Sequence, residues 1–257
     1  MYTINFAKIL KLDFMKTQLY LSLILATLIS LQLTAQDIEE YRIPLLGESA
    51  PEFTANSTMG EINFPSDYFS KWKIIFSHPA DFTPVCTSEI LTLAALQDEF
   101  QDLNTEIVVV STDGINSHIE WVHSIESINY NNLGRQEINF PLISDVNLEI
   151  CRKYGMVEAN SGRTNSIRGV FIIDPDDRIR SINFYSVETG RNFDETIRAL
   201  KALQLSDNKG ILTPANWEPG DAVMIPSPAT MKEAKKLESK NDPSLKMITW
   251  YMWMKTL

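Results

Sequence analysis

Lys71-Trp72-Lys73-Ile74-Ile75-Phe76-Ser77-His78-Pro79-Ala80-Asp81-Phe82-Thr83-Pro84-Val85-Cys86-Thr87-Ser88-Glu89 is the stretch whose reading decides the fold. Trp72 to Ser77 is a short apolar run rich in β-branched and aromatic side chains, as in a buried strand. His78 to Pro84 breaks regular structure, with two prolines bracketing Asp81, Phe82 and Thr83. Beyond the break, Ile90, Leu93, Leu96 and Phe100 recur at helical spacing. Cys86 therefore stands where a strand hands over to the first turn of a helix. The unpaired N–H groups and positive dipole end of a helix start favour an anion, and a thiolate is one.

An ordinary thiol of pKa ~8.5 is only about 3% ionised at neutral pH. Making such a group about 90% thiolate requires roughly 3.4 kcal/mol of differential stabilisation. A helix start rarely supplies that much, so the reading predicts a cation close by. A buried structural cysteine is the bland alternative. Thr83, three residues before Cys86, can bring its hydroxyl to the sulfur or to a bound substrate across a tight loop. Pro79 and Pro84 stiffen that loop and shield it from water.

Pro79, Thr83 and Cys86 spell Pro-x-x-x-Thr-x-x-Cys, and the whole string from His78 to Glu89 resembles the peroxiredoxins. Within them it is similar to the long one-cysteine subfamily, in which a histidine precedes that proline. The resemblance runs from about Ile43 to about Lys236. It implies an α/β, thioredoxin-like fold with a small C-terminal appendage. It also implies that Arg168, in Ser166-Ile-Arg-Gly-Val-Phe-Ile-Ile-Asp, is the expected cation. Arg191, in Thr189-Gly-Arg-Asn-Phe-Asp-Glu, matches a second family arginine with a mainly structural role. Glu89 is placed to pin the arginines, and His78 to orient the loop or a bound peroxide. The expected catalytic set is Cys86, Thr83, Arg168 and Pro79, with His78, Arg168, Glu89 and Arg191 on the substrate.

Working outward, Ile43-Pro-Leu-Leu-Gly-Glu-Ser-Ala-Pro is extended chain, and Met59-Gly60-Glu61 is a turn between two short strands. Glu106 to Ser111 reads as a strand, and residues 117–128 as a helix burying Ile119, Val122 and Ile125. Phe140 to Ser144 is a further strand, and Asn147 to Tyr154 a short helix stopped by Gly155. Gly169 to Asp174 and Arg178 to Tyr185 form a hairpin around Pro175-Asp176-Asp177, and Phe193 to Leu205 an amphipathic helix. The order β–α–β–α–β–α–β–β–α predicts a central mixed sheet with helices on both faces. From Ser206 prolines recur and periodicity fades, while Ala222-Val-Met-Ile and Trp250-Tyr-Met-Trp-Met stay apolar enough to pack on something.

At 257 residues, 44% hydrophobic, the chain can bury one sizeable core and carry a smaller appendage. Residues 19–33 form an uncharged apolar run with Lys16 before it and Thr34-Ala35-Gln36 after it, the layout of a secretory signal peptide. Met15 opens a better signal than Met1, so residues 1–14 read as an over-called start. The division is then 1–35 signal peptide, 36–205 thioredoxin-like peroxidase domain and 206–257 C-terminal dimerisation arm. The expected location is exported, periplasmic or secreted, without stable membrane association after cleavage; an uncleaved membrane anchor or a cytoplasmic protein are the alternatives. The full chain carries a formal charge of −10; residues 1–35 hold three lysines and one aspartate, so the remainder stands at −12. That charge, with no basic stripe, argues against nucleic acid.

Several other chemistries are set aside. His118 and His123 are five apart and on a helix face different ways, so they share no metal. A dithiol oxidoreductase needs Cys-x-x-Cys, and here the second position is Glu89. Some one-cysteine relatives carry a lipase elbow before this strand, but Lys71 and Pro65 stand where its serine and histidine would, and Ser70 lacks flanking glycines. Cys151, at helical spacing with Leu148 and Tyr154, reads as an inert core thiol rather than a resolving one. A Cys86–Cys151 disulfide remains the rival reading for an exported chain with two cysteines.

The expected function is a thiol peroxidase acting on hydrogen peroxide and small organic hydroperoxides through a Cys86 sulfenic acid. An external thiol reductant regenerates it, no cofactor is needed, and the partner is a second copy in a homodimer or larger homo-oligomer. The alternative is a thioredoxin-like binding or chaperone module whose peroxidase site is vestigial.

Overall fold

A computed structural model describes residues 42–158 and 165–257, together with residues 17, 18, 20 and 22. The expected signal peptide thus lies outside the described residues, apart from those four. Among the described residues no helix is long and apolar enough to cross a membrane.

The chain opens with a hairpin, β1 (Phe53–Ser57) and β2 (Gly60–Phe64), turning at Met59-Gly60 as expected. The strand β3 (Trp72–Ser77) leads through the His78–Thr83 loop into the long helix α1 (Pro84–Asp102). Then come β4 (Thr105–Ser111), α2 (Ile115–Ile125), β5 (Leu142–Ser144), α3 (Glu149–Lys153), β6 (Arg168–Ile173), β7 (Ile179–Tyr185) and α4 (Phe193–Lys209). The seven strands form one mixed sheet in the order β2-β1-β5-β4-β3-β6-β7. β3 pairs parallel with β4 and antiparallel with β6, so the strand that feeds Cys86 lies in the sheet interior.

Side-chain alternation divides the core in two. Ile74, Phe76, Ile107, Val109, Val170 and Ile172 face one way, against α1, α2 and α4. Ile75, Val108, Val110, Ile143, Phe171 and Ile173 face the other way, where Ile150, Cys151 and Tyr154 of the α3 region and Phe53 and Phe64 of the hairpin pack. Sheet and helices therefore form the expected thioredoxin-like α/β arrangement.

One helix turns differently from the expectation. Ile119 is 53% exposed, and α2 buries His118, Trp121 and Ile125 instead. Both sets have helical spacing. A polar His118 is accommodated inside because a carboxylate waits for it, which hydrophobicity alone does not reveal. Helix α4 also runs past Leu205 to Lys209 before Gly210, in the left-handed region at φ 60°, ends it.

The C-terminal stretch folds as α5 (Met231–Glu238) and a three-stranded sheet, β8 (Val223–Met224), β10 (Met252–Lys255) and β9 (Leu245–Thr249). Val223 and Trp217 are buried with Ile211 and Ala202 of α4. Met247, Ile248, Trp250 and Tyr251 each stay more than half exposed.

Candidate active site

Cys86 sits at the third position of α1, with Pro84 leading the helix and Thr83 as its N-cap. Pro84 is suited to that place because its φ is already helical and it has no N–H to leave unpaired. Thr83 does not cap with its side chain; its hydroxyl donates to Ala80 O at 2.9 Å and tightens the loop. The first helical bond runs from Thr87 N–H to Thr83 O, at 2.9 Å. The N–H groups of Val85 and Cys86 consequently lie ahead of the intrahelical ladder and are available to an anion.

The expected cation is in place. Arg168 begins β6, opposite Tyr185 of β7, and its Nη1 donates to Cys86 Sγ at 3.3 Å. The same nitrogen donates to Glu89 Oε2 at 2.7 Å. Nε and Nη2 of Arg168 both donate to Val187 O, at 3.1 and 2.8 Å, so the guanidinium plane is held from the opposite edge. Glu89 lies one helical turn beyond Cys86 and is 3% exposed. It also receives Nε and Nη2 of Arg191 at 2.9 and 2.7 Å, and the Arg191 backbone N–H at 2.8 Å. Arg191 Nη1 donates to Ser77 O and Gly169 O at 2.8 and 2.9 Å, and its guanidinium lies over Phe76, 5.3 Å from the ring centre. Two guanidiniums on one carboxylate leave a net positive charge, which an anion at Sγ completes.

Pro79, Thr83, Pro84, Val85, Arg168 and Val187 line an open cleft of about 480 Å³, while Cys86 itself is fully buried behind that wall, next to Arg168. The wall is mostly apolar, with Arg168 and Glu158 as the charged residues. His78, Glu89 and Arg191, expected on the substrate, are absent from that wall. Glu89 and Arg191 are enclosed behind Arg168 because each satisfies the other's buried charge. His78 is fully buried, its ring 5.1 Å from that of Trp121. Neither ring nitrogen of His78 finds a hydrogen-bond partner among the described residues, Asp81 Oδ1 lying 3.8 Å from Nε2. Burial holds this imidazole down to about 3, with the Asp81 carboxylate opposing the shift.

Beneath the loop lies a group that sequence reading missed. Asp81, 1% exposed at its side chain, contacts His118 Nδ1 at 2.9 Å, and its backbone N–H donates to Asp113 Oδ2 at 2.8 Å. In the sequence only the helical period shared by His118 and Trp121 points to it. Cys151 lies in the other core, on the opposite face of the sheet from Cys86, and both thiols are free. Burial, reinforced by Asp145, pushes the Cys151 thiol up. Among the described residues no cluster could hold a metal ion.

Comparison with known proteins agrees with the geometry. Residues 46–182 match the AhpC/TSA family and residues 202–241 the C-terminal domain of 1-Cys peroxiredoxin. A peroxiredoxin of Methanosarcina mazei is 46% identical over 214 residues, covering 83% of this chain and 98% of that protein. A yeast mitochondrial 1-Cys peroxiredoxin, whose structure addresses thiol resolution via glutathione/thioredoxin systems, superposes with a TM-score of 0.74 at 35% identity, covering 84% of this chain and all of that one. Peroxiredoxin 6 of Arenicola marina gives a TM-score of 0.72 at 33% identity, covering 83% of this chain and 99% of that one. A cysteine at a helix start, an arginine on its sulfur and an open cleft lined by that arginine are thus what a thiol peroxidase requires, and the chain belongs to the peroxiredoxin family.

Proposed function

We propose that this peroxiredoxin reduces hydrogen peroxide and small organic hydroperoxides at Cys86 by a one-cysteine mechanism. The observation that carries the reading is the 3.3 Å contact from Arg168 Nη1 to Cys86 Sγ beneath the cleft. The thiolate attacks the nearer peroxide oxygen, the O–O bond breaks, and the leaving alkoxide or hydroxide takes a proton to become an alcohol or water. Sulfur is left as a sulfenic acid. Arg168 and the helix-start N–H groups favour the charge spread over the two oxygens as they part. Thr83 and Pro79 hold the loop around that geometry.

Two equivalents of an external thiol then restore Cys86, one forming a mixed disulfide with loss of water and the second displacing it. A small dithiol, or a glutathione or thioredoxin system of the kind named for the yeast relative, suits this role. Cys151 is on the wrong face of the sheet to take part. The exposed Met247, Trp250 and Tyr251 support a homodimer in which a second copy covers them. The apolar run at residues 19–33 supports export. The vestigial-module alternative is disfavoured because Pro79, Thr83 and Arg168 line one cleft and Arg168 reaches the Cys86 sulfur.

Mass spectrometry before and after one equivalent of peroxide tests the reading, with dithiol-supported peroxide consumption alongside. A gain of one oxygen on Cys86 and steady turnover are expected; an unmodified Cys86 and no consumption would overturn it. The intact mass also reports whether residues 1–35 are removed, and light scattering reports whether the protein is a dimer.

A further inference from the structure

We propose that His118 is a positioning residue of the peroxide site, acting through Asp81. Asp81 stands midway along the loop that carries Pro79 and Thr83, and His118 Nδ1 lies 2.9 Å from its Oδ2 and 3.1 Å from its Oδ1. The other ring nitrogen of His118 faces Ile143 O of β5 at 3.3 Å. The imidazole therefore ties the loop to both α2 and the sheet. His118 is fully buried and is not among the side chains lining the cleft, so it meets no substrate.

The loop needs such an anchor. Phe82, between Asp81 and Thr83, has φ 54°, a left-handed backbone that a bulky side chain rarely adopts; the residue is 57% exposed, and its ring meets Trp121 at 6.5 Å between ring centres. On the far side, Thr83 is held by its bond to Ala80 O within the same loop. The start of the loop is held by Ser166 Oγ donating to His78 O at 2.6 Å and Asn165 Nδ2 donating to Pro79 O at 3.0 Å, whereas next to the strained Phe82 the bonds to the rest of the fold are those of Asp81: its side chain to His118 and its N–H to Asp113. Arg168, by contrast, is held from Glu89 and Val187, independently of Asp81. Loss of the His118 link should thus displace the Thr83 side of the site while leaving the arginine on the sulfur.

That division makes the idea testable, and it rests on the peroxidase reading of Cys86. Two rates are measured by stopped flow on the same protein: oxidation of Cys86 by hydrogen peroxide, and its alkylation by iodoacetamide, which needs the thiolate but no peroxide geometry. His118→Leu should slow peroxide oxidation by about ten-fold or more while alkylation changes by less than about three-fold. His118→Asn, whose amide nitrogen can take the place of Nδ1–H, should recover most of the loss. Parallel falls in both rates, an unchanged peroxide rate, or no recovery with His118→Asn would overturn the proposal. If His118→Leu does not fold, Asp81→Asn carries the test. A selective peroxide loss supports the link, and equal or absent losses overturn it. A wild type whose Cys86 alkylates readily but does not react with peroxide would instead sink the peroxidase reading, and the proposal with it.

Discussion

Arg168 Nη1 serves Cys86 Sγ at 3.3 Å and Glu89 Oε2 at 2.7 Å at once. The sulfur and the carboxylate therefore share one cation, and a second guanidinium, Arg191, stands on the far side of Glu89. This arrangement keeps Arg168 from turning away to satisfy itself elsewhere. It also places a positive charge on the sulfur without exposing the charge to water, where it would be weakened.

Replacing Cys86 with serine is expected to abolish peroxide consumption, because a serine hydroxyl stays protonated near neutral pH and is a far weaker nucleophile. Cys151→Ser should turn over within a few-fold of wild type while losing roughly 1–3 kcal/mol of stability, since it buries a hydroxyl. Coupled dithiol assays and urea denaturation check both. A stall of Cys151→Ser after one turnover would make Cys151 a resolving thiol despite its position.

Arg168→Lys should lower the second-order rate with hydrogen peroxide by about a hundred-fold. An ammonium cannot reach sulfur, Glu89 and Val187 O together as the planar guanidinium does. Stopped-flow fluorescence of the protein's tryptophans measures the rate; a loss below about three-fold would show that the charge matters and the fork does not.

Glu89→Gln removes the carboxylate that lies between two buried guanidiniums. The expected cost is roughly 3–5 kcal/mol, read from the urea midpoint, because the unpaired charge stays buried. A cost under about 1 kcal/mol would mean that solvent or backbone carbonyls compensate the arginines.

His78 ties stability to pH. Its pKa falls from 6.5 in the unfolded chain to about 3 when folded, chiefly through burial. As pH drops below 6.5 the unfolded state takes a proton that the folded state refuses, so stability is lost on acidification and is fully present above that value. Between pH 7.5 and 5 this group alone removes about 2 kcal/mol. His78→Leu should flatten the acid side of the stability profile by that amount relative to wild type; identical slopes would contradict the burial argument.

The Cys151 thiol faces the second core, away from the cleft, and its pKa is raised, so it should resist iodoacetamide at pH 8 in the folded protein and react only in denaturant. Peptide mapping after alkylation reads this directly. Rapid native labelling of Cys151 would show that α3 opens locally.

The strand–loop–helix around Cys86, the hairpins at Met59-Gly60 and at Pro175 to Asp177, and the apolar face of α4 were legible in the sequence, because period and turn chemistry are local properties. So was the need for a cation, since a helix start alone is too weak for a thiolate. Which atoms supply it was decided by tertiary structure: β6 lies beside β3 in the sheet, and only that pairing brings Arg168 to Cys86 across 82 positions. The face that α2 buries could not be read locally, because the spacing of Ile119, Val122 and Ile125 is as helical as that of His118, Trp121 and Ile125. A carboxylate at Asp81, 37 residues away, made the second face the buried one. The separation of Cys86 and Cys151 on opposite faces likewise follows from the sheet between them, a relationship no spacing of two cysteines contains.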